Sequence, residues 1–195
     1  MNSAHHLILA SNSPRRQELL RQAGYNFEVV TYDFEEIIPN GLSSATVAEY
    51  LAKEKNTFYR SRLENQTIIT ADTTVVLDQQ VFNKPADRPE ALKMIHTFSN
   101  KTHEVISGVC ISNLKKSISF STRTLVTFEA ISKQEAIHYV DTFKPFDKAG
   151  AYGIQEWIGL TKITRIEGSY FNVVGLPIQE LYEVLKNEFG ISPLD

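Results

Sequence analysis

The chain has 195 residues, 42% of them hydrophobic and 22% charged, which suits a globular protein with a sizeable core and excludes a disordered chain. A formal net charge of −3 argues against a nucleic-acid partner, and the single cysteine, Cys110, excludes an internal disulfide and suits a reducing compartment. No apolar stretch approaches the ~20 residues of a membrane span, and MNSAHHLILASNSPRR has no cationic run before its short apolar one, so the expectation is a cytoplasmic protein without a secretory signal or membrane association.

In chain order, His6 to Ala10 reads as a short buried strand. Ser13 suits the N-cap of a helix and Pro14 its first position, with Leu19, Leu20 and Ala23 as the apolar stripe and Gly24 as the stop. Phe27 to Thr31 reads as a second strand, and residues 33–41 as a loop broken by Pro39, Asn40 and Gly41. Ser44 is placed to cap a long helix carrying Val47, Leu51 and Phe58. Thr67 to Ala71 is a β-branched run that reads as a strand; Val75 to Leu77 follows, and Asp78-Gln79-Gln80 turns the chain into Val81-Phe82 as a hairpin.

Capping-box spacing at Asp87/Glu90 and at Ser132/Glu135 opens two more helices. The first turns Ala91, Leu92, Ile95 and Phe98 inward, the second Ala136, Ile137 and Val140. Between them Val105–Ser112 and Ser117–Phe128 read as long strands. Residues 147–155 read as a loop and Leu160–Ile166 as a strand; Pro177 opens a last helix with Ile178, Leu181, Tyr182 and Leu185 on one face. Alternating strands and helices followed by paired strands predict an α/β fold, a mixed twisted sheet flanked by helices, in one domain over 1–195 with two lobes around a cleft.

Several segments carry groups with chemistry. Ser11-Asn12-Ser13-Pro14-Arg15-Arg16 joins a strand end to a helix start, where free N–H groups, hydroxyls and two guanidinium groups favour an anion; a plain capped helix with solvated arginines fits equally. Asp72 follows an apolar run at the expected carboxyl end of a strand, where it could hold a divalent metal or activate a water, or simply bond its own turn. Lys84 beyond a strand, Lys55 on the long helix, Glu35 and Glu36 in the early loop, and Lys148 and Gln155 in a glycine-bearing loop complete the candidates. Each of these, taken alone, also fits a solvated surface group. The glycines of 147–155 are expected to let backbone approach a ligand. His5, His6, His96, His103 and His138 have no helical i, i+4 pairing, and Cys110 has no cysteine partner, which argues against zinc. Neither a G-x-x-x-x-G-K-[ST] loop nor a G-x-S-x-G elbow occurs.

In order, LASNSPRRQELL, LAKEK, ITADTTVVLD, NKPADRPEA, THEVISGVCI, DKAGAYGIQ and GSYFNVVGLPIQELYEVL resemble the Maf family of nucleotide pyrophosphatases, related in fold to the inosine triphosphate pyrophosphatases. The resemblance implies hydrolysis of a nucleoside triphosphate between the α and β phosphates, giving monophosphate and pyrophosphate. It implies Asp72 as proton acceptor for the attacking water, with Lys84 and Glu36 beside it in the catalytic set. Arg15 and Arg16 match a phosphate-binding pair next to Ser11 and Ser13, and Lys55 and Lys148 match cleft lysines. Glu36 and Asp72 are expected to hold a divalent cation, Mg2+ or Mn2+. Converging cations would focus positive potential locally in an acidic protein. Arg15, Thr73 and Gln155 resemble the branch acting on dTTP and UTP; the 7-methyl-GTP branch carries an aromatic, glutamine and glutamate there. A neutral amide suits an uncharged pyrimidine edge. Thr70 stands where the family often has glycine. A homodimer is implied too. The alternatives are a pyrophosphatase for another modified or purine nucleotide, and a non-catalytic regulator of septum formation.

Overall fold

The computed structural model describes residues 6–194; His5 and the start of the N-terminal segment weighed as a secretory signal lie outside them. The strands are β1 (Leu7–Leu9), β2 (Glu28–Val29), β3 (Thr67–Leu77), β4 (Gln80–Phe82), β5 (Thr102–Ser112), β6 (Ser117–Phe128) and β7 (Ile163–Glu167). The helices are α1 (Pro14–Gln22), α2 (Val47–Arg60), α3 (Arg88–Phe98), α4 (Lys133–Phe143), α5 (Trp157–Lys162), α6 (Tyr170–Val174) and α7 (Ile178–Phe189). The seven strands form one mixed sheet in the order β2-β1-β3-β5-β6-β7, with β4 paired to part of β3. β1 runs parallel to β2 and β3, and the other pairings are antiparallel. The fold is therefore the predicted mixed α/β one.

Local chemistry explains the elements. The Ser13 hydroxyl accepts the Arg16 N–H and Pro14 takes the first helical position, so α1 starts where β1 has just ended. Ser132 and Glu135 close a reciprocal capping box on α4. The β3–β4 hairpin turns on Asp78 and Gln79, both in the left-handed region at φ 51° and 66°, as a two-residue turn requires. α2 lies so close over β5 that a Cβ on Gly108 would fall 2.3 Å from the Glu49 backbone. One apolar cluster gathers Leu9, Leu20, Ile69, Val109, Leu181 and Leu185 between the sheet, α1 and α7. A second joins Ile95, Phe98, Val105, Phe128 and Tyr139 beneath α3 and α4. Each such fully buried side chain contributes about 1.5–3 kcal/mol. No helix among the described residues is long and apolar enough to cross a membrane.

Several expectations are corrected. β2 is only Glu28–Val29, because β1 offers it just two paired positions. Thr46, not Ser44, precedes α2, and its side chain makes no capping bond; its hydroxyl donates to the Ser43 carbonyl instead. Leu160 is not in a strand. It sits on α5, 80% exposed, while the buried Ile158 and Lys162 are four residues apart, a helical spacing. Lys162 can be buried there because it reaches Glu129 at 3.1 Å and Glu135 at 2.6 Å. The short helix α6 had no counterpart in the sequence reading; its cap, Ser169, accepts the Asn172 N–H.

His103 lies at 1% exposure between Phe98 and Phe128, with Nε2 2.7 Å from the Tyr152 hydroxyl. Burial pushes its pKa from 6.5 down to about 3. The unfolded chain therefore takes up this proton more readily than the folded one. Its contribution to stability is complete above 6.5 and is lost as pH falls toward about 3. Urea unfolding should show a lower midpoint at about pH 5 than at about pH 7, and the difference should shrink in His103→Gln. An equal drop in that variant contradicts the assignment.

Candidate active site

β3 is longer than the strands on one of its edges. β5 pairs with it from Ile68 to Val76, but on the other edge β1 stops at Ile69 and β4 begins only at Val75. On the edge left open, Ala71, Asp72 and Thr73 line an open cleft of about 730 Å³. Asp72 is thus not at the carboxyl end of its own strand, as expected; β3 continues unbroken to Leu77. It lies just past the carboxyl end of β1, which produces the crevice predicted for a strand terminus. Because the gap cuts through the sheet, side chains from both faces of β3 reach the cleft. Asp72 points toward α2, and Thr73 toward α1 and the segment after α6.

On the α2 side, the Lys55 ammonium donates to Asp72 Oδ1 at 2.7 Å and lies 2.5 Å from Glu36 Oε1. Lys55 and Asp72 side chains are 16% and 14% exposed, whereas Glu36, on the irregular segment after β2, is 46% exposed. The two carboxylates therefore converge on one cationic centre. Glu35 does not line the cleft, whereas its neighbour Glu36 does.

On the other side the two arginines separate. Arg16 donates through Nε to the Gly175 carbonyl at 2.8 Å, through Nη1 to the Ala71 carbonyl at 2.8 Å and the Ser11 hydroxyl at 3.5 Å, and through Nη2 to Thr73 Oγ1 at 3.0 Å. Four of its five N–H groups are thereby used on the protein itself. Its pKa is lowered, chiefly by burial, with the Asp72 carboxylate acting the other way. Thr73 Oγ1 also lies 2.9 Å from the Ser107 hydroxyl. Arg15, by contrast, is held among the described residues only by Asp147 Oδ2, at 3.0 Å and near the surface.

The segment from 147 to 156 forms the far wall. Lys148, 9% exposed, reaches Asp147 at 2.7 Å and Glu156 at 3.0 Å. Two glycines of this segment let its backbone pack closely against neighbouring side chains. Gly150 has φ 68° and would set a Cβ 2.9 Å from Val75 of β3, while a Cβ on Gly153 would meet the Glu156 carboxylate at 2.9 Å. Gln155 and Lys84 are exposed and line the cleft, as do Ser11 and Ser13. Lys84 has no carboxylate partner among the described residues.

All the sequence-derived candidates except Glu35 thus come together. What that reading missed is most of the anionic half: Asp33, Asp147 and Glu156, beside the expected Glu36 and Asp72. Five cations line the cleft (Arg15, Arg16, Lys55, Lys84, Lys148), and so do five carboxylates (Asp33, Glu36, Asp72, Asp147, Glu156), so the formal charge is balanced, not focused positive. Asp147 and Glu156 adjoin Lys148 and Gln155 in sequence, and that adjacency was the available clue. The Gly175 carbonyl carried no clue at all.

Arg16→Ala should cost about 2 kcal/mol or more of stability, because it removes four hydrogen bonds to a charged group, two of them to backbone carbonyls. Arg15→Ala should change stability by less than about 1 kcal/mol, as for an exposed pair. Denaturant midpoints of the two variants check this, and equal effects contradict the division.

The family model described as Maf-like protein matches residues 6–188. A relative from Porphyromonas gingivalis named dTTP/UTP pyrophosphatase is 46% identical over 95% of this chain and 95% of its own length. Relatives of the same name from Flavobacterium psychrophilum and Phocaeicola vulgatus are 47% and 48% identical, over 93% and 92% of this chain and 93% and 94% of theirs. Among solved structures, the Staphylococcus aureus Ham1 protein is similar over 63% of this chain and 71% of that one, at 13% identity and a TM-score of 0.45. On the family match and these relatives, the chain belongs to the Maf family.

Proposed function

We propose that this protein hydrolyses dTTP and UTP between the α and β phosphates, releasing the nucleoside monophosphate and pyrophosphate. The observation that carries the reading is the meeting of Asp72 with displaceable cations along the open edge of β3, in a chain whose relatives bear that activity in their names. Phosphoanhydride hydrolysis asks mainly for positioning and for positive charge around the transferring and leaving phosphates.

In this reading the triphosphate lies across the gap. Arg15 and Lys148 exchange Asp147 for phosphate oxygens, and exposed Lys84 joins them to neutralise the leaving pyrophosphate. Ser11 and Ser13 add hydroxyl donors at the start of α1. Arg16 orders this wall by holding Thr73 and the Ala71 and Gly175 carbonyls in place. Asp72 accepts the proton of the attacking water, with Lys55 fixing its carboxylate. Thr73 and Gln155 offer neutral donors and acceptors to a pyrimidine edge.

The donor set fits a divalent cation. Glu36 and Asp72 already share one cationic partner, and a charge-balanced cleft has no surplus positive charge for a triphosphate. Mg2+ or Mn2+ suits one or two carboxylates completed by phosphate oxygens. Glu36 and Asp72 would hold it, and when bound it supplies the positive charge that offsets the phosphates. The family resemblance further supports one domain over residues 1–195 acting as a homodimer, and the single cysteine suits a cytoplasmic location.

Asp72→Asn keeps the side-chain size and removes the base, so turnover should fall by at least about 10²-fold. Pyrophosphate release measured across a nucleotide panel, with Mg2+ or Mn2+ and with chelator, checks both substrate and base. Full turnover by the variant overturns the mechanism, and activity confined to 7-methyl-GTP overturns the substrate assignment.

A further inference from the structure

Lys148 has two carboxylate partners of very different character. Asp147 is 59% exposed and is shared with Arg15. Glu156 is 23% exposed and tied from behind. The Tyr139 hydroxyl donates to Glu156 Oε2 at 2.5 Å and accepts the Gly153 N–H at 2.9 Å, so both of its hydrogen-bonding functions are engaged. Tyr139 itself is 0% exposed within the core beneath α4. Burial, and then the bond to Glu156, raise its pKa, so the proton stays on the tyrosine and the donor direction is fixed. Gly153 lets the chain pass directly over this arrangement: a Cβ there would lie 2.9 Å from the Glu156 carboxyl carbon and 3.1 Å from Lys148 Cε.

From this geometry we infer that Glu156 and Tyr139 are positioning residues for substrate binding, forming a brace that keeps Lys148 aimed into the cleft when an incoming phosphate takes the place of Asp147. The inference deepens the reading given above and rests on it. The physical logic is a difference in mobility. A lysine side chain loses much rotamer freedom when it is fixed, and a single exposed partner does little to restrain it. Glu156 restrains it because its own second oxygen is held by a buried donor on a different element, α4. Asp147 can leave without releasing Lys148, since Glu156 Oε1 remains 3.0 Å away. The brace also spans Gln155: Gly153, two residues before it, and Glu156, next to it, both bond to Tyr139. The fixed point for both the phosphate cation and the amide facing the base is thus one phenol in the core.

The test is a double-mutant cycle with Glu156→Ala, Lys148→Ala and the double variant, and with Tyr139→Phe as a second way to loosen the brace. It is read in KM and kcat for dTTP and, separately, in the Kd for the non-hydrolysable α,β-methylene analogue. Glu156→Ala should lower kcat/KM by roughly ten- to a hundredfold, mostly through KM, the fold-change expected for one hydrogen bond to a charged group. Tyr139→Phe should act in the same direction and less strongly. In the Lys148→Ala background, adding Glu156→Ala should change kcat/KM by no more than about twofold, since the lysine it serves is gone. Multiplicative losses in the double variant, or a Glu156→Ala effect confined to kcat, overturn the brace. A wild type that binds the analogue but turns over no nucleotide overturns the hydrolase reading, and the binding cycle then decides the brace by itself. A wild type that does neither overturns both.

Discussion

Between Ile69 and Val75 one strand edge has no strand beside it, and the site is a consequence of that vacancy. Backbone groups on an open edge need partners, because an unmet buried carbonyl costs about as much as a lost hydrogen bond. Here the Ala71 carbonyl is met by Arg16, a side chain from the neighbouring helix α1. β5, paired along the opposite edge, keeps β3 extended across the gap, so Asp72 and Thr73 are presented on a rigid support and not on a loop. Strand alternation then sends them to opposite faces, where each meets a different basic side chain, Lys55 on α2 and Arg16 on α1.

The cleft does not attract phosphate by an excess of positive charge. Three of its five cations, Arg15, Lys55 and Lys148, are held by carboxylates, and Lys55 and Lys148 each have one more exposed and one less exposed partner. Such a wall stays ordered without a ligand and yields its more exposed partners to a stronger anion. Binding then replaces one set of charge pairs by another, which limits the reorganisation needed at the moment of reaction.

Much of this was legible from local sequence. The caps at Ser13 and Ser132, the hairpin at Asp78 and Gln79, and the strands on either side of Asn113 were all readable, because short-range hydrogen bonding and alternation decide them. The candidates Ser11, Arg15, Lys55, Asp72 and Lys148 were readable as residue types near element ends, and as a site only through the order of whole segments. What escaped has tertiary causes. Leu160 reads as a strand residue until Lys162 is seen to need Glu129 and Glu135, more than 25 positions away. Arg16 reads as a free phosphate donor until its carbonyl partners at Ala71 and Gly175 are known. The length of β3 could not be read through Asp72, since a carboxylate suits the middle of a sheet only where a cleft opens beside it.

The bond from Arg16 to the carbonyl of Gly175 joins positions 159 apart in the chain. Its consequence concerns synthesis. On the ribosome the first helix emerges early with a guanidinium group whose last anchor has not yet been translated. The wall it orders therefore stays incomplete until the loop before α7 has left the exit tunnel, and a nascent chain that stops short of that loop carries most of the charged groups of the site without the means to hold them in register.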